Sequence, residues 1–290
     1  MSMGRRGWIL RAITRPPFRD EMGRKGWFER ITRAQPHIVR HLHLRLERWP
    51  QWKRPLRVAY LSDFHLGSHS GDVARLERIV AEANAAKPDL ALFGGDYVNL
   101  QPFGGGRIPP RTIARILAGL TAPAGRFAVL GNHDFKYGPD EISAALQAAG
   151  IIVLNDEMAS FVYDGERIAI VGIPDGEVKR PEAATLLDTL PAISMIVLAH
   201  DPVWFANLQR GCQLMLAGHT HGGQVKLPWV GVLSNASDAP LRWTHGHVVE
   251  NGRHLFVTSG LGTSTAPIRI GVPPEWALLE INGNAPAPST

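Results

Sequence analysis

The sequence predicts a layered α/β domain. From residue 55 onward, short apolar runs rich in β-branched residues alternate with segments of helical periodicity, and the last stretch, 248–281, is rich in strands. Such alternation followed by strands is typical of layered α/β folds rather than helical bundles. The 290 residues, 44% of them hydrophobic, suffice for one large domain or two small ones, and the composition excludes a fibre or a wholly disordered chain.

The apolar runs predict the strands. They are residues 57–61, 90–93, 127–130, 151–154, 168–173, 193–199, 214–217, 254–259 and 276–281. Helices are predicted between them at 73–86, 112–120 and 139–149. The first two place apolar residues at spacings of three and four. The third begins at Pro139 and is followed by Gly150, which is the expected punctuation of a helix.

Residues 1–54 form a basic segment ahead of a mildly acidic domain. They hold 14 Lys/Arg against 4 Asp/Glu, whereas residues 55–290 hold 17 against 22. Residues 3–8 (MGRRGW) recur as 22–27 (MGRKGW), and four of the eight tryptophans lie in the segment: Trp8, Trp27, Trp49 and Trp52. Tryptophan with arginine suits a lipid headgroup interface, so we expect this segment to dock on an anionic membrane surface. The alternatives are a loose tail, a helix packed on the domain and, as the weakest, an arm for nucleic acid.

The chain shows no pattern of export or of a membrane span. Its single cysteine, Cys212, excludes an internal disulfide and fits a reducing compartment. No run reaches the roughly 18 apolar residues of a spanning helix, and no charged start leads into the apolar run of a secretory signal. We therefore expect a cytoplasmic protein that is peripheral on the cytoplasmic face of the inner membrane.

Polar residues able to bind metal follow five of the predicted strands. The five segments are Asp63-Phe64-His65, Gly94-Gly95-Asp96, Gly131-Asn132-His133-Asp134, His200-Asp201-Pro202 and Gly218-His219-Thr220-His221. Ligand sites in layered α/β folds form beyond the carboxyl ends of strands, so we expect these side chains to surround one crevice. In the first and last segments the metal-binding residues are two apart. In extended backbone such residues project to the same side, which predicts that each pair reaches one cation together.

The donor set indicates two catalytic ions. Carboxylate, amide and imidazole without thiolate suit Mn, Fe, Zn or Co better than a structural zinc site. Seven donor groups are too many for one tetrahedral ion and suit two ions that share a carboxylate. Two ions about 3.5–4 Å apart can bind phosphoryl oxygens and stabilise the charge of an in-line displacement.

The ordered motifs D-x-H, G-G-D, G-N-H-D, H-D-P and G-H-T-H resemble those of the calcineurin-like metallophosphoesterase superfamily, over about residues 55–282. Residues 218–224 (GHTHGGQ), 259–264 (SGLGTS) and 267–269 (PIR) are similar to a bacterial membrane-associated branch. That branch includes enzymes that cleave UDP-2,3-diacylglucosamine in lipid A biosynthesis. The resemblance implies a four-layer α/β/β/α sandwich of two mixed sheets flanked by helices. It divides the chain into an appendage over 1–54, a catalytic domain over 55–282 and a frayed tail over 283–290.

The resemblance also implies a role for each site residue. One metal would be held by Asp63, His65 and His221, and the other by Asn132, His200 and His219, with Asp96 bridging the two. Manganese is the favoured ion. His133 would face the substrate near the leaving oxygen, as an imidazolium or a hydrogen-bond donor, while Asp134 would orient His133 or fix its loop. Arg269 and His245 are weaker candidates for substrate contacts, and Trp229 and Trp243 either wall a substrate groove or pack in the core.

The function implied is hydrolysis of a phosphodiester or diphosphate bond by a metal-activated hydroxide. The expected substrate is a phosphorylated amphiphile such as UDP-2,3-diacylglucosamine at the membrane surface. A soluble nucleotide phosphodiesterase is the main alternative. A non-catalytic scaffold that binds metal and a phosphorylated ligand is a further one, and a nuclease with a basic N-terminal arm is the least favoured.

Overall fold

A computed structural model of the chain describes residues 33–101, 106–175, 186, 193–207, 213–232 and 234–284. The helices in these ranges are α1 (Asp72–Ala85), α2 (Pro110–Ala118), α3 (Asn132–Tyr137) and α4 (Pro139–Ala148). The strands are β1 (Ile38–Leu46), β2 (Leu56–Leu61), β3 (Leu90–Phe93), β4 (Arg126–Ala128), β5 (Ile152–Val153), β6 (Glu157–Tyr163), β7 (Glu166–Ile173), β8 (Met195–Ala199), β9 (Leu214–Ala217), β10 (Lys226–Leu227), β11 (Gly231–Val232), β12 (Gly246–Glu250), β13 (Arg253–Val257) and β14 (Glu275–Gly283).

Two mixed six-stranded sheets form the fold, which confirms the predicted class. The first sheet has the strand order β1-β14-β2-β3-β4-β5 and the second β12-β13-β9-β8-β7-β6. Strands β2 to β5 run parallel to one another, as do β13, β9, β8 and β7. Parallel strands place their carboxyl ends at the same edge of a sheet, so each sheet brings several strand ends together.

The core is layered as the apolar runs predict. Between the sheets, Tyr60 of β2 packs edge-on against Phe256 of β13, with ring centroids 6.3 Å apart. The other face of the first sheet is covered by α1, α2 and α4, whose apolar residues are buried against it. On the outer face of the second sheet, the 3-10 turn Pro202–Asn207 buries Phe205 and the turn Leu241–Trp243 buries Trp243. The packing alternative for Trp243 is therefore confirmed.

The folded domain begins well before residue 55, the predicted start. Strand β1 pairs in parallel with β14 along its whole length, from Ile38 beside Glu275 to Leu46 beside Gly283. Trp49 and Trp52 are buried, and the backbone N–H of Trp52 donates to the Oδ1 of Asn282 at 2.8 Å. The predicted boundary at 54/55 is therefore wrong, because a strand at a sheet edge carries outward-facing arginine and histidine that mask its buried alternate positions.

The folded domain also extends past residue 282, its predicted C-terminal limit. Gly283, predicted to begin the tail, ends β14 and donates its N–H to the carbonyl of Pro50 at 2.9 Å. Residues 1–32, with Trp8, Trp27 and the repeated motif, lie outside the described part of the chain, as do Cys212 and residues 285–290.

Two edge strands were missed, although each carries a readable turn signal. Strand β6 joins β7 through Asp164-Gly165, and β12 joins β13 through Asn251-Gly252. All four turn residues have φ between 49° and 84°, which is the left-handed conformation that two-residue hairpins require. Asp-Gly and Asn-Gly between segments of alternating apolar and polar residues are therefore the sequence signals that predict these two hairpins.

Candidate metal centre

The predicted strand ends meet at one edge of the fold, between the two sheets. Asp63 and His65 follow β2, Asp96 follows β3, and His219 and His221 follow β9. The loops are joined by backbone hydrogen bonds, such as the N–H of Asp63 to the carbonyl of Gly95 at 3.0 Å. A side chain also connects the sheets, because the Oδ1 of Asp63 accepts the N–H of His219 at 3.0 Å. The predicted single crevice is present.

The first cluster of donors, called here the inner group, consists of Asp63, His65, Asp96 and His221. One donor atom from each lies within 4.8 Å of all the others, and all four residues are buried. The Nε2 of His65 is 3.1 Å from the Nε2 of His221 and 3.3 Å from the Oδ2 of Asp96. The Nε2 of His221 is 3.7 Å from the Oδ1 of Asp63. Such convergence of imidazole and carboxylate groups suits a divalent cation.

The second cluster, called here the outer group, consists of Asp175, His200 and His219. The Nδ1 of His219 is 3.3 Å from the Nε2 of His200 and 3.8 Å from the Oδ2 of Asp175. His200 is buried, whereas Asp175 and His219 retain partial exposure. This group therefore meets solvent, while the inner group does not.

Asp96 lies where the two groups meet. Its Oδ2 is 3.3 Å from the Nε2 of His65 in the inner group and 3.5 Å from the Nε2 of His200 in the outer group. Its Oδ1 accepts the backbone N–H of His133 at 2.9 Å, which fixes the carboxylate. The Asp96 carboxylate is therefore within reach of a histidine from each donor group.

Asn132 lies beside this carboxylate, since the residues on either side of it both contact Asp96. A Cβ placed on Gly131 would collide with the Oδ1 of Asp96, and His133 donates to the same oxygen. The Oδ1 of Asn132 is buried and finds no hydrogen-bond partner among the described residues, and the same holds for the Oδ2 of Asp63. A buried acceptor without a partner costs on the order of 1–3 kcal/mol, so these oxygens fit a site built for cations.

The predicted extended backbone at the two i, i+2 pairs is wrong. Asp63 and His65 have φ of 52° and 37°, and His219 and His221 have 66° and 51°. Asp96, at 56°, is also left-handed. Asp63 and His65 still join one group, but His219 and His221 turn to separate groups. Left-handed backbone is costly for residues with a Cβ and concentrates at functional sites, where the surrounding structure enforces it.

Carbonyl groups set the orientation of the outer histidines. The Nδ1 of His200 lies 2.7 Å from the carbonyl of Gly94, and the Nε2 of His219 lies 2.9 Å from the carbonyl of Ala236. A carbonyl only accepts, so each of these nitrogens carries the proton. When both rings are neutral, the Nε2 of His200 and the Nδ1 of His219 carry lone pairs that face each other, an arrangement typical of metal-binding histidines. A cation bound at the Nε2 of His200 would replace the proton that the nearby carboxylates otherwise favour there.

The charges in the crevice shift the pKa values of Asp96, His200 and His221 in different directions. Burial opposes charge on Asp96, but His200 and His65 outweigh it and hold the pKa of Asp96 well below its usual range. Burial likewise lowers the pKa of His200, but Asp96 and Asp63 raise it well above the ordinary value. Burial, His65 and Arg269 keep the pKa of His221 well below its ordinary value, so this imidazole is neutral and able to coordinate.

His133 stands at the wall of the crevice. Its ring lies edge-on to His65 with centroids 4.6 Å apart, and its Nε2 is 3.5 Å from the hydroxyl of Ser264. Burial lowers the pKa of His133 to about 4, and nearby His65 contributes in the same direction, so the ring is neutral at pH 7. Of the two predicted forms, the structure favours the neutral donor over the imidazolium.

Asp134 holds the loops together instead of contacting His133. Its Oδ2 accepts the backbone N–H groups of Asp96 at 2.7 Å and Gly131 at 2.9 Å, and its Oδ1 accepts that of Tyr97 at 2.9 Å. The loop-fixing role, one of the two predicted, matches these contacts. Burial, and next the charge of Asp96, raise the pKa of Asp134 to about 7. We therefore treat Asp134 as a positioning residue.

Arg269 is buried and hydrogen-bonded to backbone carbonyl groups, and its contact with a substrate stays a prediction. It is 4% exposed, and its guanidinium donates to the carbonyls of Gly262 at 2.6 Å and His221 at 3.2 Å. These contacts support the loop that carries His221. His245 places its Nε2 2.9 Å from the Oε1 of Glu275, which also accepts the N–H of Ser259; its substrate contact stays a prediction.

Two acidic residues at the outer group were missed as ligand candidates. Asp175 follows the end of β7, and Asp201, although part of the H-D-P motif, was given no role; its Oδ2 is 3.7 Å from the Nε2 of His219. The signal for Asp175 was the same one that found the others, namely an acidic residue just beyond a buried strand.

Comparison with known proteins assigns the family. Residues 56–223 match the family model for calcineurin-like phosphoesterases. The chain belongs to the calcineurin-like phosphoesterase family. As the sequence predicted, it is a hydrolase, and divalent metals are the cofactors that its donor groups suit. No helix in the described part of this phosphoesterase is long and apolar enough to cross a membrane.

Named relatives extend the comparison. This phosphoesterase is 31% identical over 266 residues to phosphodiesterase YaeI of Escherichia coli (strain K12), covering 88% of this chain and 89% of the relative. It is 25% identical over 307 residues to the UDP-2,3-diacylglucosamine pyrophosphatase LpxG of Chlamydia trachomatis serovar D, covering 86% of this chain and 88% of the relative. Among solved structures, a 5'-nucleotidase precursor from Thermus thermophilus is 22% identical with a TM-score of 0.45, covering 70% of this chain and 48% of that one.

Proposed function

We propose that this phosphoesterase uses two divalent cations to hydrolyse a phosphodiester or diphosphate bond in a lipid-linked substrate at a membrane surface. The observation that carries the reaction is the position of Asp96, whose Oδ2 lies within 3.5 Å of a histidine nitrogen from each donor group. A carboxylate shared between two cations would hold them close enough to stabilise an in-line displacement at phosphorus.

The residues divide between two cations. Asp63, His65 and His221 would hold one, and Asn132, His200 and His219 the other, with Asp96 shared and Asp175 beside the second. Such ions supply Lewis acidity, which activates water as a nucleophile at neutral pH and neutralises charge on phosphoryl oxygens. We favour manganese because hard oxygen donors and imidazole without thiolate make up the set.

The chain's own residues do the positioning and proton work. His133, neutral at pH 7, would donate a hydrogen bond to the leaving oxygen, with the Ser264 hydroxyl 3.5 Å from its Nε2. The backbone N–H of His133 keeps Asp96 in place, and Asp134 fixes the surrounding loops through three backbone N–H groups. These contacts hold His133 and Asp96 in a fixed position relative to each other.

The lipid part of the proposal depends on similarity and charge. The relative LpxG is named for cleavage of UDP-2,3-diacylglucosamine, which makes this compound, and a place in lipid A biosynthesis, the leading candidate. Residues 1–32 hold eight Lys/Arg against three Asp/Glu and include Trp8 and Trp27, a composition suited to an anionic headgroup layer. This supports a peripheral location on the cytoplasmic face of the inner membrane.

Hydrolysis by the purified full chain tests the reaction. We expect manganese-dependent cleavage of bis-p-nitrophenyl phosphate that a chelator abolishes, and cleavage of UDP-2,3-diacylglucosamine in preference to soluble nucleotides. Preference for nucleotides would favour the soluble phosphodiesterase alternative. Bound metal without cleavage of any phosphoester would favour the non-catalytic scaffold and contradict the proposal.

A further inference from the structure

A short hairpin close to the metal centre carries apolar side chains into solvent. Strands β10 and β11 pair antiparallel, with Lys226 opposite Val232 and Leu227 opposite Gly231. At the tip, Trp229 is fully exposed and has a φ of 62°, and Val230 beside it is 62% exposed. A fully exposed tryptophan at the tip of a hairpin leaves a large apolar surface in water, which marks an interaction site.

A second segment adds to the same surface. Ile268 and Ile270 are exposed while Arg269 between them is buried, so the two isoleucines point outward together. The hairpin is joined to this segment by backbone hydrogen bonds, from the N–H of Lys226 to the carbonyl of Ile270 at 2.8 Å and from the N–H of Ile270 to the carbonyl of Gln224 at 3.0 Å. The five exposed residues Leu227, Trp229, Val230, Ile268 and Ile270 are called here the apolar face.

Buried Arg269 connects the apolar face to the metal centre. Its guanidinium donates to the carbonyl of His221, a member of the inner group, and to those of Ser259 and Gly262. The same stretch of chain includes Ser264, whose N–H donates to the Oε1 of Gln224 at 2.9 Å and whose hydroxyl is 3.5 Å from the Nε2 of His133. The segment that carries Ile268 and Ile270 is therefore fastened to the loop that carries His221.

Exposed basic residues lie beside the apolar face. The side chain of Gln35 donates to the carbonyl of Arg269 at 2.8 Å, so the start of the described chain lies against the segment that carries the isoleucines. Arg33 is exposed and lines a cavity together with Gln35 and Ile268. Lys226 adds an exposed charge at the base of the hairpin. Apolar side chains, a terminal tryptophan and adjoining basic residues together match an anionic lipid surface.

We propose that the apolar face docks on an anionic phospholipid bilayer, with Trp229 in the headgroup layer and Ile268 and Ile270 beside it. The inference rests on the proposed lipid-linked substrate and names the surface that would present the metal centre to it. A partner protein fits less well, because stable interfaces involve about 20–30 residues on each partner, whereas the apolar face has five.

Flotation of the full chain with vesicles tests the proposal. The vesicles are phosphatidylcholine alone or phosphatidylcholine with phosphatidylglycerol, and the variants are Trp229→Ser and Ile268→Ser. Val162→Ser on β6 is the matched control, since Val162 is equally apolar and 63% exposed but lies outside the apolar face. We expect the wild type and the control to float with the phosphatidylglycerol vesicles, and each face variant to partition roughly tenfold less.

Three results would overturn the inference. They are equal partitioning of Trp229→Ser and the wild type, no binding of the wild type to anionic vesicles, and a wild-type dimer in size-exclusion chromatography that Trp229→Ser dissociates, which would assign the face to a second copy. Circular dichroism of the variants checks that they fold.

Activity separates this inference from the proposed function. If the wild type cleaves bis-p-nitrophenyl phosphate but does not bind vesicles, the docking face is wrong and the reaction stands. If it binds vesicles through Trp229 but cleaves no phosphoester, docking is supported and the proposed reaction is wrong.

Discussion

The inner and outer groups differ in how far they are closed from water. All four inner residues are buried, and the loop of His221 is fastened by Arg269. In the outer group His200 is buried and fixed by the carbonyl of Gly94, but Asp175 and His219 are partly exposed. The difference teaches that one of the two proposed cation sites is enclosed by the fold, while the other opens to solvent, the side from which we expect a phosphoryl oxygen to enter.

Asp96→Asn removes the carboxylate that lies between the two donor groups. Among these variants it should therefore cause the largest loss of bound metal and of activity. The amide lacks the charge that both sites need, and we expect loss of both cations with a fall in kcat/KM of at least about 10³-fold. Metal content by mass spectrometry and cleavage of bis-p-nitrophenyl phosphate measure this. Asp140→Asn, on the exposed start of α4, is the control. Retention of two cations by the Asp96 variant would break the account of a shared carboxylate.

His65→Asn and His219→Asn test the difference between the groups directly. Because His65 is enclosed, its loss should weaken the inner site and also lower thermal stability, whereas loss of His219 should release only the outer cation. We expect each to lower kcat/KM on the order of 10²-fold, with one cation retained by His219→Asn. Titration with a chelator, followed by metal analysis, gives the order of release. If the wild type released the inner cation before the outer one, the assignment of the inner group as the more enclosed site would be wrong.

His133→Asn should keep both cations and slow the reaction. A missing donor at the leaving oxygen matters most for a poor leaving group, so we expect kcat to fall about 10²-fold for an alkyl phosphodiester and less for bis-p-nitrophenyl phosphate. Equal rates of the variant and the wild type on the alkyl substrate would exclude His133 from the reaction.

The smallest expected effect is the change with pH in the contribution of His133 to the reaction rate. Burial depresses its pKa to about 4, so it stays neutral well above that value and gains charge only as the pH falls through it. The ratio of wild-type to His133→Asn rates should therefore change less than about twofold between roughly pH 5 and pH 8. A ratio that drops sharply as the pH rises past about 6.5 would instead require an imidazolium.

Local patterns predicted the site better than they predicted the limits of the domain. Acidic and imidazole residues beyond buried strands identified all four residues of the inner group and two of the three in the outer group. They could do so because parallel strands end at the same edge of a sheet, whatever the conformation of the loops. The backbone of Asp63 and His221 could not be predicted, since left-handed residues with a Cβ are imposed by tertiary packing. Strand β1 was hidden because it pairs with β14 at the far end of the chain, and local charge outweighed its alternating pattern.

Anomalous diffraction from crystals of the manganese-loaded protein tests the central claim most directly. We predict two peaks about 3.5–4 Å apart, both within coordination distance of the Asp96 carboxylate, one beside His65 and one beside His200. A single peak, or two peaks of which only one contacts Asp96, would contradict the shared site on which the proposed reaction depends.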